Sequence, residues 1–171
     1  MTATPDDLFR RLEALNIATT TTDYPAHSTV EEGIALRGEM AGMFTKNLLL
    51  RDKKKALYLL AVEENRAVDL KILHRRIGAR GRLGFAPGEI MIDLLGVEPG
   101  ALTPFALIND LERAVTPVLD AVLFTAEQVN FHPLVQTGST GIAPDDLAAF
   151  LKAVDHEPVI VDFDIAIETE T

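Results

Sequence analysis

Residues 44–60, FTKNLLLRDKKKALYLL, decide the fold. Two apolar runs flank a short charged tract, which is the pattern of a β-hairpin: KNLLLRD and ALYLLAVE are the strands, and Lys53, Lys54 and Lys55 form the turn. Lys46 is the anomaly, because it opens a strand that otherwise belongs in a core. A lysine at a strand end commonly blunts unwanted sheet pairing. An ammonium fixed by a strand is equally able to hold a phosphate or carboxylate in a pocket.

Upstream of the hairpin, TPDDLFRRLEALN carries helix start signals in Thr4, Pro5, Asp6 and Asp7, with Leu8, Leu12 and Leu15 as its buried stripe. TTTTDYPAHSTV is β-branched and turn-rich. TVEEGIALRG then reads as a short helix capped by Thr29. Downstream, AVDLKILHRRIG is a basic helix stopping at Gly78, and APGEIMIDLLG is a short helix with Pro87 near its start. FALIND, TPVLDAVLF and QVNFHPLVQ read as strands, and TGSTGI as a loop. APDDLAAFLKAVDH reads as a helix and PVIVDFDIAI as a closing strand. Helices and strands interleave, and the hairpin favours a mixed, mostly antiparallel sheet over a doubly wound parallel one. The expectation is one α+β domain over residues 1–171, with helices flanking the sheet.

Composition narrows the chemistry. The 171 residues are 47% hydrophobic and 25% charged, as in ordinary globular proteins. Without cysteine there is no disulfide, thiolate metal site or cysteine nucleophile. His27, His74, His132 and His156 have no metal-ligand spacing, and no phosphate-binding Gly-Lys-Ser/Thr loop or Gly-x-Ser-x-Gly elbow occurs. The start of the chain lacks secretory order and no apolar run approaches a membrane span of about 18 residues, so a cytoplasmic location with no membrane partner is expected. A net charge of -10 argues against indiscriminate nucleic-acid binding. Yet residues 51–82 hold ten Lys/Arg against four Asp/Glu, so the rest of the chain carries six against 22. That asymmetry presents one basic region on an acidic protein.

Three features carry candidate chemistry. Thr45-Lys46-Asn47 puts polar groups just before a strand. Gly100 to Pro104, GALTP, is a Gly-x-x-x-Pro loop: glycine permits close backbone approach, and proline stiffens the exit so that amides can face a carbonyl. In residues 130–142, NFHPLVQTGSTGI, His132 precedes a proline and small residues that suit a pocket wall.

Together TKNLLLRDKKKALYLL, GVEPGALTPFALIND and VNFHPLVQTGSTGI resemble the YbaK/ProX superfamily of prolyl-tRNA editing proteins, also found as the insertion domain of bacterial prolyl-tRNA synthetases. The resemblance runs from the first helix through DLAAFLKAVDHEP and looks most like the ProX type, which removes alanine. It implies a YbaK-like fold and hydrolysis of the ester between a wrong amino acid and the tRNA(Pro) 3′ acceptor end. By motif position, it implies that Lys46 contacts the terminal adenosine or its phosphate, with Thr45 and Asn47 beside it. Gly100 and Pro104 match the loop that orients the ester carbonyl, and His132 a substrate-positioning histidine. His27 and Thr29, with Gly138, Ser139, Thr140 and Gly141, would wall the amino-acid pocket, although TGSTG stands where relatives read closer to TATT. No metal or cofactor is implied, since an activated ester needs only positioned water and a stabilised oxyanion. A methylene is worth only about 1–3 kcal/mol in binding, so a site for alanine must exclude proline by size, which predicts a small pocket near HSTV and TGSTG.

Implied partners are the tRNA, with prolyl-tRNA synthetase or an elongation factor as further candidates. Lys53 to Lys55, Arg75, Arg76, Arg80 and Arg82 are expected to guide the acceptor stem. The alternatives are a non-catalytic tRNA or synthetase adaptor, and an enzyme of this fold acting on a free aminoacyl compound.

Overall fold

A computed structural model describes residues 2–165. Helix α1 spans Pro5–Ala14 and is closed at its start by a reciprocal cap. The Asp7 amide donates to Thr4 Oγ1 at 3.1 Å, and the Thr4 amide to Asp7 Oδ2 at 2.9 Å. One turn apart, Leu8 and Leu12 are buried against the core. Strand β1 (Thr19–Asp23) leads to helix α2 (Val30–Arg37), capped by Thr29 as the sequence predicts.

The hairpin forms as read. Strand β2 (Met43–Arg51) pairs antiparallel with β3 (Leu57–Glu63), setting Lys46 opposite Val62 and Leu50 opposite Tyr58. Alternate residues therefore divide between two cores. Leu49, Leu59 and Ala61 join the larger, under α1 and the late helix α5 (Pro144–Ala153). Leu50, Leu60 and Val62 join the smaller, under α3 (Leu70–Ile77), whose C-cap is Gly78 in the left-handed region at φ 68°. Strand β4 (Gly84–Phe85) pairs with Leu50 and Arg51, and α4 starts at Gly88–Ile90 and widens into a π-turn over Met91–Leu95.

Beyond α4 the structure corrects five sequence expectations. FALIND is not a strand: Pro104–Asn109 is a 3-10 helix, nucleated by Pro104 and by Thr103 Oγ1 accepting from the Phe105 amide. Strand β5 stops at Asp120 (Val115–Asp120), because the Asp120 carboxylate accepts from the Val122 amide and starts a 3-10 turn over Ala121–Thr125. Strand β6 is only Val129–Phe131, ended by Pro133, which has no amide to donate. The TGSTGI segment is no loop: Gly138–Ile142 is β7, wholly buried, paired along its length with β1 and over Thr140 to Ile142 with β6. Strand β8 is Val159–Val161, so the apolar run expected as one closing strand turns after three residues, and its last part lies outside the described residues.

The strand order is β1-β7-β6-β2-β3-β5-β8, with β4 on the side of β2. Four pairings are antiparallel and three parallel, the mixed sheet expected. One consequence positions the site. Along the same edge of β2, β6 pairs with Met43 and Phe44, and β4 with Leu50 and Arg51. Thr45 to Leu49 lie between them with no strand partner there among the described residues, so the sheet has a gap.

Candidate functional site

A pocket of about 520 Å³ opens at that gap. It answers why a core strand begins with a cation. Thr45, Lys46 and Asn47 line the pocket, on the stretch of β2 that β6 leaves uncovered. Thr45 Oγ1 donates to the Asn130 carbonyl at 2.9 Å, which fixes the rim where the two strands part. Asn47 Nδ2 donates to Thr45 Oγ1 at 3.3 Å, leaving Asn47 Oδ1 buried with no partner among the described residues. Lys46 forms no ion pair there either, so its ammonium is uncommitted.

The pocket brings eight of the twelve sequence-predicted residues together: Thr45, Lys46, Asn47, His27, Thr29, Gly100, His132 and Ser139. Gly100 has φ 100°, a conformation that L side chains rarely adopt, and a Cβ there would lie 3.5 Å from Gln136 Nε2 across the loop. His132 leaves the end of β6, and its Nδ1 donates to the Gly138 carbonyl at 2.8 Å. Burial lowers the His132 pKa below the ordinary imidazole value; the Gly138 bond opposes the shift and nearby His27 adds to it. The ring is thus neutral at neutral pH, with the Nε2 lone pair available. Ser139 Oγ is 2.7 Å from the Tyr24 hydroxyl. His27 packs on α2, its Nε2 2.8 Å from where a Cβ on Gly33 would stand.

The other four stand behind the wall. Pro104 is buried at the start of its 3-10 helix. Thr140 faces away from Ser139 by strand alternation, its Oγ1 2.8 Å from Thr21 Oγ1. Gly138 reaches the site only through its carbonyl, to His132. Gly141 backs the wall: a Cβ there would stand 2.0 Å from Gln128 Nε2 and 2.8 Å from Asn130 Oδ1.

Sequence reading missed a charged clasp on the opposite wall. Arg37 donates through both terminal nitrogens to Glu64, each at 2.9 Å, while its guanidinium lies 3.6 Å from the centre of the Phe44 ring. All three line the pocket, as do Val30 and Ile34 of α2, 76% and 49% exposed. Helix α2 buries no side chain, so this clasp and the Thr29 cap hold it. A lone arginine at a helix end followed by an acid 27 residues later gives no sequence signal. Asn130, Phe131 and Gln136 also line the pocket; they fall inside the NFHPLVQ stretch, where only His132 carries a recognisable signal.

At about 520 Å³ the open pocket is larger than an alanine side chain requires, so the small pocket expected from HSTV and TGSTG is at most one end of a wider site. No group of three or more His, Asp or Glu stands in a metal-binding arrangement among the described residues. No helix there is long and apolar enough to cross a membrane.

Residues 24–150 match the aminoacyl-tRNA editing domain family. The chain is 40% identical over 166 residues to a prolyl-tRNA synthetase associated domain-containing protein 1 of Danio rerio, covering 94% of this chain and 90% of that one. It is 31% identical over 144 residues to the prolyl-tRNA editing protein ProX of Acetoanaerobium sticklandii, covering 84% and 87%. A solved structure proposed as a trans-editing enzyme for prolyl tRNA synthetase superposes with a TM-score of 0.69 over 95% of this chain and 98% of that one; at 20% identity it bears on the fold alone.

Proposed function

This chain belongs to the aminoacyl-tRNA editing domain family, and we propose that it is a trans-editing deacylase that removes alanine from mischarged tRNA(Pro). One observation carries the reading: a single pocket holds an uncommitted cation, a loop whose Gly100 has a positive φ, and a neutral, partly committed imidazole. Water attacks the ester carbonyl carbon, the acyl C–O bond breaks, and the ribose oxygen takes a proton. The products are free alanine and tRNA with a free terminal hydroxyl.

Each group has work suited to its place. The Lys46 ammonium binds the anionic 3′ end. Backbone amides of the Gly100 loop face the carbonyl oxygen, where charge develops. His132 Nε2 accepts a hydrogen bond from the substrate, and its ring is held by the Gly138 carbonyl. Asn47 Oδ1, a buried acceptor without a donor among the described residues, favours a polar occupant, since such an atom costs about 1–3 kcal/mol while unpaired. Thr29 and His27 bound the end toward α2, Ser139 the end toward β7. None of these roles needs a covalent enzyme intermediate.

The test is deacylation of alanyl-tRNA(Pro) beside correctly charged prolyl-tRNA(Pro), with a Lys46→Ala variant. Rapid loss of alanine, sparing of proline and an inactive variant support the reading. Binding of both tRNAs without hydrolysis of either would overturn it in favour of an adaptor.

A further inference from the structure

Far from the pocket, one buried carboxylate joins two basic loops into a single surface. Asp52 is 5% exposed at the end of β2. Its Oδ1 accepts from the amides of Lys54 and Ala56, each at 2.9 Å, and closes the hairpin turn. Its Oδ2 accepts from the Arg80 amide at 2.9 Å, in the loop after α3. A further bond from the Lys53 amide to the Arg80 carbonyl, 3.0 Å, locks the loops together. The Lys53 stem packs where a Cβ on Gly81 would stand, 2.6 Å from its Cδ.

What this clamp presents is cationic. Lys53, Lys54, Lys55, Arg80 and Arg82 are all exposed and form no ion pair among the described residues. Their neighbours differ: Arg66 is tied to Asp120 and Asp164, and Arg76 to the Asp162 and Ile165 carbonyls. Of the basic residues in 51–82, only some are therefore at liberty, and the clamp gathers five of them. Elsewhere the chain is strongly acidic.

We propose that this clamped surface binds the phosphate backbone of the duplex stem of the tRNA whose 3′ end enters the pocket. The inference rests on the editing reading above. Strand β2 joins the two places. Lys46 projects from the same sheet face as Leu48 and Leu50, the face covered by α3, and the turn lies roughly 20 Å farther along at about 3.3 Å per residue. That is a span of a few extended nucleotides, so a stem whose single-stranded end reaches Lys46 arrives at Lys53–Lys55. Phosphates fit better than an acidic protein does, because protein interfaces have an apolar or aromatic centre. Here Phe85, 66% exposed, is the only large apolar side chain exposed on residues 51–85.

The experiment compares wild type with a Lys54→Gln/Lys55→Gln/Arg82→Gln variant on two substrates: full alanyl-tRNA and a short alanylated oligonucleotide of the single-stranded end. On full tRNA at about 0.15 M salt, the variant should lose on the order of tenfold in kcat/KM. Its dependence of log kcat/KM on log salt should flatten by about two to three, one for each phosphate contact removed. The short substrate should be cleaved equally by both proteins, which also shows that the variant is folded. An unchanged rate and salt slope on full tRNA, or equal losses on both substrates, overturns the proposal and leaves the editing reading standing. If wild type cleaves neither substrate, the editing reading fails instead. Equal binding of uncharged tRNA by the two proteins would then overturn the surface as well, and selective loss of an acidic protein partner by the variant would reassign it.

Discussion

The His132 ring is tied to the Gly138 carbonyl, 2.8 Å from its Nδ1, so the second nitrogen keeps its lone pair for the pocket. Burial depresses the pKa below the usual 6.5. Activity that needs neutral His132 should hold steady as pH falls through 6.5 and decline only at the lower folded value. Between that value and 6.5 the unfolded chain binds more protons than the folded one. This group's contribution to stability is therefore full above 6.5 and lost as pH falls through the window. His132→Ala should cost roughly 10–100-fold in rate, the worth of a hydrogen bond of about 1–3 kcal/mol. His132→Gln, which cannot titrate, should flatten the acid limb of the pH–rate profile.

Gly100→Ala isolates backbone strain from crowding. The added Cβ would meet Gln136 Nε2 at an ordinary 3.5 Å, but φ 100° is unfavourable for any L residue, by about 1–3 kcal/mol. Thermal melts should show a fall of a few degrees, with kcat/KM on the aminoacyl-tRNA reduced more than stability alone accounts for. A Gln136→Ala change in the same background should restore neither, because space is not what is missing.

Much of this architecture is written locally. The Thr4 and Thr29 caps, the lysine hairpin and the Gly78 stop each depend on residues a few positions apart, and each forms as the sequence predicts. The errors share a cause. FALIND has strand-like residues, but Pro104 and Thr103 start a helical turn and burial rewards it. TGSTGI is too small and polar to look like a core strand. It becomes one because β1 pairs its whole length and β6 pairs Thr140 to Ile142, while the Gly138 carbonyl is taken by His132 Nδ1. For the site, the motif residues were legible by resemblance and the gap that gathers them was not. It depends on where β6 and β4 end against β2, a relation among segments dozens of residues apart.

Arg37 and Glu64 should control α2 without controlling the fold. The helix buries no side chain, and the clasp is partly exposed, with Arg37 at 18% and Glu64 at 30%. Breaking it by Glu64→Gln should cost about 1 kcal/mol, and locally. Hydrogen exchange of the Val30–Arg37 amides should accelerate several-fold while the global melting temperature moves by no more than about 2 °C. Arg37→Lys should act likewise, because an ammonium supplies neither the paired donors nor the flat face over Phe44. A large global destabilisation would mean that α2 is integral to the core.

Gly141 is where a pocket residue is positioned from behind. Gln128 Nε2 donates to the Ala41 carbonyl at 2.9 Å and to Asn130 Oδ1 at 3.1 Å, while Asn130 Nδ2 donates to the same Ala41 carbonyl at 3.0 Å. Asn130 is 2% exposed and lines the pocket beside Thr45. A Cβ on Gly141 falls 2.0 Å from Gln128 Nε2, so Gly141→Ala must drive that amide away and leave Asn130 with one partner fewer. The expected cost is about 1–3 kcal/mol of stability, with a loss of activity through the shifted Asn130 wall. Gln128→Ala removes the atom that is struck. In a double-mutant cycle, Gly141→Ala should therefore cost less in the Gln128→Ala background, with the relief appearing as a coupling energy of about 0.5 kcal/mol or more. Strict additivity would show that the conflict lies with Asn130 Oδ1 instead, 2.8 Å from the added Cβ and still in place when Gln128 is truncated.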